Sequence, residues 1–340
     1  MARRLYISNA PVKSKRKQAA HATNHVSWAF DRFLREHANG TVYPINPYIQ
    51  VFQFRENLYG FYNHNLDGQD DMWQYLLIGP EKAMLVDTGY GIGDVVGLIN
   101  QLTGGKELVV VNTHDHPDHA YGNCCFDKVY CHETLVPYLE LQDEHIHDYL
   151  FNEDGSCKWI EFDKEDLPKF KPFEIVGVPD GYIINLGEDY DVEVIHVGGH
   201  AGGHAVYLDK KGKNLFAGDC ICSDIMQLGN ITDRTNRLVY KAHNGRVLDP
   251  APQEMYRTPS VFLERIKYIV SRLDEFDHIF PGHYITDLEA DLYEDLYKAL
   301  SEIIADPINN CTFTKVMPDG KTVYRKYIEG FSMISYRFTH

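Results

Sequence analysis

The sequence lacks any apolar run long enough to cross a membrane. A spanning helix needs about 18 consecutive apolar residues, and no stretch of the 340 residues reaches that length. The basic segment at 1–17 is not followed by the short apolar run of a secretion signal. We therefore expect a cytoplasmic protein that does not contact a membrane.

Internal repeats, low-complexity segments and long linkers are also lacking, so repeat and fibrous architectures are not expected. Cysteine is present in an odd number. Without a secretion signal, an odd count favours reduced thiols over a disulfide framework. The seven cysteines are Cys124, Cys125, Cys131, Cys157, Cys220, Cys222 and Cys311.

Positive charge is scarce. The chain has 33 Lys and Arg against 49 Asp and Glu, which gives a formal net charge of −16. A field of that sign repels phosphate backbones, so no nucleic-acid partner is expected and a small-molecule substrate is favoured. A homodimer is the default expectation for the assembly, because dimers are the commonest oligomers.

The chain contains strand-like and helix-like segments in alternation. This order favours an α/β sandwich whose sites lie at strand ends. We expect an N-terminal extension over 1–40, one domain over 41–305, and a C-terminal β-hairpin over 306–340 that turns at Pro318-Asp319-Gly320. Strands are predicted within 48–62 and 74–87, and at 108–111, 128–131, 192–197, 205–208, 215–217 and 279–280. Helices are predicted at 24–38, 94–102, 133–150, 260–276 and 287–304.

Histidine is abundant, with 17 in the chain. Three of them share residues 113–119, Thr-His-Asp-His-Pro-Asp-His, with two aspartates, directly after an apolar strand. Alternating side chains diverge in a tight loop, so His114 and His116 can grip one ion while Asp118 and His119 point at a second. Neutral imidazole and carboxylate are ligands that zinc, iron and manganese accept.

The pattern His-x-His-x-Asp-His at 114–119 resembles the hallmark of the metallo-β-lactamase superfamily. Four further blocks match that family in order, each at a predicted strand end. They are Asp87 in Leu-Val-Asp-Thr-Gly, His200 in Gly-His-Ala-Gly-Gly-His, Asp219 in Ala-Gly-Asp and His283 in Pro-Gly-His. The resemblance implies an αββα sandwich of the metallo-β-lactamase type with N-terminal and C-terminal extensions, and a metal motif like that of glyoxalase II and the lactonases.

The resemblance also implies a ligand set for two divalent metal ions, with zinc expected first and iron or manganese acceptable. One ion would be held by His114, His116 and His200, the second by Asp118, His119 and His283, and Asp219 would bridge them. Two cations about 3.5–4 Å apart lower the pKa of a shared water and stabilise an oxyanion. Asp118 is also expected to accept a proton, while Asp87 and Asp115 would orient the imidazoles.

The implied activity is hydrolysis of an ester, thioester or lactone by attack of a metal-bound hydroxide. Two departures from relatives narrow it. His116 stands where flavodiiron-type relatives have Glu, which argues against an oxygen or nitric-oxide reductase. Asp219 is retained, unlike in lactamases that place a cysteine ligand on the second metal, and this argues against a true lactamase.

Three alternatives remain open from the sequence. One is a phosphodiesterase acting on a small molecule. Another is a mononuclear iron dioxygenase acting on a persulfide, which would use only part of the ligand set. The third is a metal-binding module without catalysis; seven ligands argue against it, because buried polar groups without a metal are costly.

The stretch 222–259 is where this fold usually builds one wall of its pocket. Tyr240 and His243 within it are predicted catalytic residues that polarise a carbonyl or donate to a leaving group. Simple loop packing is an equal alternative for each. The roles of Cys220, Cys222 and His204 are left open.

Overall fold

The computed structural model describes residues 13–14, 40–69, 72–230, 239–249, 251–317, 320–328 and 332–337. The helix expected over 24–38 and most of the turn at Pro318-Asp319 lie outside these residues. Within the described residues, no helix is long and apolar enough to cross a membrane.

The larger sheet has eight strands and is built mainly from the first half of the chain. Numbered in chain order, its strands are β2 (Thr41–Val42), β3 (Gln50–Arg55), β4 (Leu58–Asn63), β5 (Met72–Ile78), β6 (Lys82–Val86), β7 (Glu107–Val111), β8 (Lys128–His132) and β10 (Glu174–Val178). Their spatial order is β10-β8-β7-β6-β5-β4-β3-β2. The four strands from β10 to β6 run parallel, and the others pair antiparallel.

The second sheet has six strands and belongs to the second half of the chain. Its strands are β11 (Ile183–Asn185), β12 (Asp191–His196), β13 (Ala205–Asp209), β14 (Asn214–Gly218), β18 (His278–Pro281) and β19 (Leu288–Glu289), which are neighbours in that order. Only β14 and β18 pair in parallel.

A third sheet joins the C-terminus to a segment from the middle of the chain. Strand β15 (Ile225–Asn230) pairs in parallel with β22 (Ser332–Arg337), which continues antiparallel through β21 (Thr322–Ile328) to β20 (Phe313–Val316). Two short pairs complete the strands: β1 (Lys13–Ser14) with β9 (Ile160–Glu161), and β16 (Tyr240–Lys241) with β17 (Val247–Leu248). The C-terminal segment therefore contains the expected hairpin and one more strand.

Five α-helices are described, and the longer ones carry apolar stripes. They are α1 (Val95–Thr103), α2 (Pro117–Ala120), α3 (Val136–Leu139), α4 (Pro259–Val270) and α5 (Leu292–Ala305). Short 3₁₀ turns lie at Asn123–Cys125, Glu133–Leu135, Asp148–Leu150, Lys164–Asp166, Pro252–Arg257 and Leu273–Glu275. As the sequence indicates, α4 has Thr258 as its N-cap and Pro259 in its first turn.

Three apolar cores define the layers. The core between the two large sheets contains Trp73, Tyr207 and Phe280. The outer face of the first sheet packs on α1, while the outer face of the second packs on α4 and α5. The layer order is thus helix, sheet, sheet, helix, and the predicted αββα sandwich is confirmed.

The long helix predicted over 133–150 is wrong. Only Val136–Leu139 is α-helical there. Downstream, the carboxylate of Asp143 accepts the backbone N–H of His145, and the His145 ring pairs with Asp148. Short acidic side chains that bond to nearby backbone compete with helical hydrogen bonds, so the segment folds as successive turns. His132 ends β8 and His145 lies in a turn, so neither residue is helical.

Helices α4 and α5 each differ from the predicted range mainly at one end. Helix α4 stops at Val270 rather than 276, and a separate 3₁₀ turn follows it. Helix α5 begins at Leu292 rather than 287, because Leu288–Glu289 pairs as an edge strand with β18.

Candidate metal centre

The polar residues of the five sequence blocks follow the carboxyl ends of strands from both large sheets. Asp87 follows β6, and the loop at 113–119 follows β7. His200, Asp219 and His283 follow β12, β14 and β18 of the second sheet. Because the sheets pack face to face, these ends meet along one edge of the sandwich.

The first group of ligand atoms comes from His114, His116, His200 and Asp219, all within 4.8 Å of one another. The Nε2 of His200 lies 2.9 Å from the Nδ1 of His116. The Asp219 carboxylate lies 3.5 Å from His200 Nε2 and 4.0 Å from His114 Nε2. We call these four residues cluster one.

The second group comes from Asp118, His119 and His283, again within 4.8 Å. The Nε2 atoms of His119 and His283 are 3.3 Å apart. Asp118 Oδ2 lies 3.3 Å from His283 Nε2 and 3.6 Å from His119 Nε2. We call these three residues cluster two.

Asp219 reaches both clusters. Its Oδ1 lies 3.3 Å from His119 Nε2, and its Oδ2 lies 3.4 Å from His283 Nε2 and 3.5 Å from His200 Nε2. One carboxylate therefore contacts imidazoles of both groups, which is the geometry a bridging ligand needs.

Hydrogen bonds on the outer side of three imidazoles fix which nitrogen faces inward. Asp87 accepts from His119 Nδ1 at 2.8 Å, and the carbonyl of Gln227 accepts from His200 Nδ1 at 2.9 Å. The Thr113 hydroxyl donates to Asp87, so it accepts from His114 Nδ1 at 3.0 Å. Each Nδ1 therefore donates to the outer partner, and each Nε2 faces the interior.

This arrangement fits a cation better than it fits a hydrogen-bond network. Among the described residues, His114 Nε2 and Asp219 Oδ1 are buried and make no hydrogen bond. The lone pair of His200 Nε2 meets another imidazole nitrogen at 2.9 Å, a contact that repels unless a proton or cation shares it. Buried acceptors of this kind are costly without a partner, so the donor set suits metal ions.

The charges of the clusters point the same way. Burial is the main cause that lowers the pKa of His116 and of His200 to about 4, so both are in the neutral, ligating form at pH 7. Burial also acts to lower the pKa of His119, but the Asp219, Asp118 and Asp87 carboxylates outweigh it and raise that pKa to about 9. Cluster two thus attracts positive charge.

Close backbone approach around Asp219 requires glycine at two positions. A Cβ on Gly282 would lie 2.6 Å from both Asp219 Oδ1 and the His119 ring. Gly218 has a φ of +49°, and a Cβ there would lie 2.6 Å from the Thr113 hydroxyl. Both glycines therefore let ligand-bearing loops pack without a side chain between them.

Five of the seven cluster residues line a cleft of about 340 Å³: His116, Asp118, His200, Asp219 and His283. One wall comes from the loop after β4, with Asn65, Asp67 and Gln69. The opposite wall comes from β15, the end of β22, Arg257 and the β16–β17 turn. The lining thus combines polar side chains with a few apolar ones such as Ile225 and Met226.

A chain of hydrogen bonds leads from Asp118 away from the cleft. Asn65 donates its amide to Asp118 Oδ2 at 2.8 Å, and its amide oxygen accepts from the Tyr90 hydroxyl at 2.8 Å. The Tyr90 and Tyr149 hydroxyls are 2.9 Å apart. The Tyr90 contact fixes the orientation of the Asn65 amide, which in turn holds Asp118 in place.

Comparison with known proteins follows this geometry. The sequence profile of the metallo-beta-lactamase superfamily matches residues 69–270, more than half of the chain. The chain belongs to the metallo-β-lactamase superfamily. The match includes six of the seven proposed ligands, and His283 lies beyond it.

Curated relatives include acyl-coenzyme A thioesterase MBLAC2 of Homo sapiens and of Bos taurus. Each is 25% identical over 235 residues, covering 62% of this chain and 72% of the relative. Similar solved structures include DIM-1 metallo-beta-lactamase, with 18% identity and a TM-score of 0.46 over 76% of this chain and 99% of that one. An enzyme of Erythrobacter litoralis has 12% identity and a TM-score of 0.49, over 78% and 100%.

In the present chain, the two side chains predicted to be catalytic, Tyr240 and His243, occupy different places. His243 lines the cleft and stacks on Tyr149 with ring centroids 4.0 Å apart. Tyr240 lies outside the cleft lining and packs edge-on against Tyr138. Burial raises the pKa of Asp115, and a hydrogen bond from Tyr240 partly offsets that rise. Catalytic roles for Tyr240 and His243 stay predictions.

The three residues whose roles the sequence left open also have defined surroundings. His204 is fully buried and accepts the backbone N–H of Asp219 at 3.1 Å, so it fixes the loop that carries the bridging carboxylate. Cys222 lines the cleft. Cys220 is buried against the Tyr293 hydroxyl.

Sequence reasoning missed several residues of the site, above all Asn65, Asp67, Tyr90 and Arg337. Asn65 and Asp67 follow strand β4, and that position after a predicted strand was the signal that could have found them. Arg337 had no such signal, because its place in the cleft depends on the pairing of β22 with β15.

Proposed function

We propose that this protein is a metal-dependent hydrolase that cleaves thioesters and related acyl esters with two divalent cations, zinc first, in clusters one and two. The observation that carries the proposal is the convergence of seven donors on two adjacent points, with three imidazoles held in the ligating form by outer hydrogen bonds. When bound, two such cations would lower the pKa of a water and stabilise the oxyanion of acyl transfer.

The protein's own groups supply the rest of the chemistry. Asp118 lies at the cleft floor, where it can take a proton from the attacking water, and Asn65 holds its Oδ2 for that task. His243 lines the same cleft, where its neutral ring can donate an N–H hydrogen bond to the leaving group. Tyr240 donates a hydrogen bond to Asp115, which belongs to the 113–119 loop, and so acts as a positioning residue for that loop.

Two observations favour a thioester over other acyl compounds as the proposed substrate. The relatives at 25% identity are named acyl-coenzyme A thioesterases. The cleft also carries Arg257 and Arg337 in a protein of net charge −16, and these cations suit the phosphates of a coenzyme A leaving group.

The deciding experiment measures metal content and hydrolysis on the same purified protein. We expect about two zinc or manganese ions per chain, hydrolysis of acyl-coenzyme A, and loss of both the cluster-one ion and activity in His116→Ala. Esters, lactones and a phosphodiester complete the substrate panel, and His145→Ala, on an exposed turn, is the control.

Other results would replace the proposal. Phosphodiester cleavage without acyl hydrolysis would make the protein a phosphodiesterase. A single iron per chain, with oxygen consumption on a persulfide and no hydrolysis, would make it a dioxygenase. Stoichiometric metal with no turnover on any substrate would leave a binding module.

A further inference from the structure

The C-terminal strand β22 lies far from the metal ligands in sequence but is connected to one of them by a short chain of contacts. Gln227, on β15, supplies the carbonyl that accepts from His200 Nδ1 at 2.9 Å. Among the strands that the structure describes, β15 pairs only with β22, and it forms the edge of a sheet separate from the two sandwich sheets. The position of that carbonyl therefore depends on the pairing of β15 with β22.

The pairing is anchored just before β15. The Ser332 hydroxyl donates to the carbonyl of Cys222, and the Met333 N–H donates to the carbonyl of Asp224 at 3.0 Å. Cys222 is only three residues beyond the bridging Asp219. These two bonds fix the chain between the bridging carboxylate and the strand that holds His200.

The register of β15 changes directly after the Gln227 carbonyl. Ile225 and Met226 pair in step with Met333 and Ile334, but the register shifts between Gln227 and Gly229. Such bulges occur preferentially next to active sites, where they redirect a group out of the ladder. Here the shift coincides with the residue whose carbonyl contacts His200.

Packing makes the link stiff. Met226, Leu228, Ile334 and Tyr336 are all buried in the same apolar core as α4 and α5. The two strands thus share one face with the second sheet's helices, and β15 cannot move independently of β22.

We propose that β22 is a positioning element of the metal centre, which sets the affinity of cluster one by holding the Gln227 carbonyl against His200. Removal of an outer hydrogen bond of a ligating histidine costs about 10–100-fold in metal affinity. Cluster two depends on this segment only through Asp219, which contacts His119 and His283, so its affinity should fall less. This inference rests on the proposed two-cation centre.

The test uses Met333→Pro, which removes the N–H that bonds to Asp224 and disturbs the pairing at the start of β22. Its matched control is Thr314→Pro, on the outer edge strand β20 of the same sheet, two strands away from β22. Zinc and cobalt titrations of the full chain give the affinity of each site, and the cobalt visible spectrum reports the environment of each ion. Circular dichroism checks the fold of each variant.

We expect Met333→Pro to lose at least tenfold in affinity at one site and clearly less at the other, while Thr314→Pro binds both ions like the wild type. A folded Met333→Pro variant that binds both ions with wild-type affinity, or that loses the same factor at both sites, would overturn the inference. If that variant does not fold, Ser332→Ala decides: a weakening of one site supports the inference, and unchanged affinities and cobalt spectrum overturn it. A wild-type protein that binds no metal would instead defeat the proposed function.

Discussion

Asp87 supports three groups of the site at once. Its carboxylate accepts from the Thr113 N–H at 2.7 Å, from the Thr113 hydroxyl at 2.8 Å and from His119 Nδ1 at 2.8 Å. Its backbone has a φ of +63°, a conformation that Asp and Asn tolerate better than most residues. One side chain thereby orients a cluster-two ligand and, through Thr113, the cluster-one ligand His114.

Replacement of Asp87 should weaken the metal centre. We expect Asp87→Ala to lose about 10–100-fold in metal affinity, because His119 loses its outer hydrogen bond and Thr113, the partner of His114, loses its anchor. Asp87→Asn keeps the backbone preference and one acceptor oxygen, so its loss should be smaller. Competition titration with a chromogenic chelator measures both, and equal affinities of Asp87→Ala and wild type would contradict this role.

Arg337 tests the substrate preference at the same scale. We expect Arg337→Gln to raise KM for an acyl-coenzyme A by about threefold to fivefold, the size of a partly exposed ion pair, with kcat unchanged. Hydrolysis of an uncharged thioester should not change. Arg325→Gln is the matched control, because Arg325 lies on the neighbouring strand over the Phe313 ring rather than in the cleft. A rise in KM for the uncharged substrate as well would show that Arg337 does not recognise charge.

At the scale of secondary-structure elements, the ligand-bearing strands could be predicted because their signals are local. Strand β7 is an apolar run that ends directly at the His-rich loop, and β14 ends at Gly218-Asp219. Each combines a buried strand pattern with a polar residue at its carboxyl end. The order of the five blocks resembles that of the metallo-β-lactamase superfamily, and this resemblance implied the sandwich and the proposed ligand set.

Other elements could not be predicted because long-range or competing contacts decide them. The parallel pairing of β15 with β22 joins residues about a hundred positions apart, and no local pattern specifies it. In the 133–150 segment, side-chain bonds such as Asp143 to His145 replace the helix that periodicity predicts. The cleft wall at Asn65 and Asp67 is a loop without periodicity.

Helix α4 connects core packing to the site. Phe262 on this helix is fully buried, and a Cβ placed on Gly199 would lie 2.4 Å from its ring. The ring therefore packs directly beneath the turn that carries His200. Core stability and ligand position are coupled at this contact.

We expect Phe262→Ala to destabilise the fold by about 3–5 kcal/mol and to weaken cluster one, because the His200 turn loses its support. Ile303→Ala on α5 removes a side chain from the same core without contact to that turn, so it should lower stability and leave metal affinity unchanged. Urea unfolding and zinc titration give the two quantities. If both variants bound metal with the same affinity, the Phe262 ring would not support the His200 turn.

For the whole molecule, a buried histidine pair predicts how stability depends on pH. His132 and His196 stack with ring centroids 4.4 Å apart. Burial, and then the neighbouring His196, lower the pKa of His132 to about 4; Asp180 acts in the opposite direction and Arg265 in the same. The unfolded chain, with an ordinary His pKa of about 6.5, binds more protons than the folded chain between these values.

Stability should therefore fall as the pH drops from about 6.5 towards 4, with a contribution from His132 of about 2 kcal/mol at pH 5. His132→Asn, which keeps an acceptor near Thr134, should flatten that dependence. The comparison is by urea unfolding at pH 5 and pH 7.5 in the presence of a chelator, so that metal loss does not contribute. An unchanged slope in His132→Asn would show that other groups cause the acid sensitivity.

The two clusters each combine residues from both large sheets. His114, His116, Asp118 and His119 follow a strand of the first sheet, whereas His200, Asp219 and His283 follow strands of the second. A chain emerging from the ribosome thus has all residues of cluster one only after residue 219 and all residues of cluster two only after residue 283, and neither cluster forms before the two sheets dock. On the proposed function, cation binding would therefore follow the docking of the two sheets, and a partly synthesised chain would lack a complete set of donors.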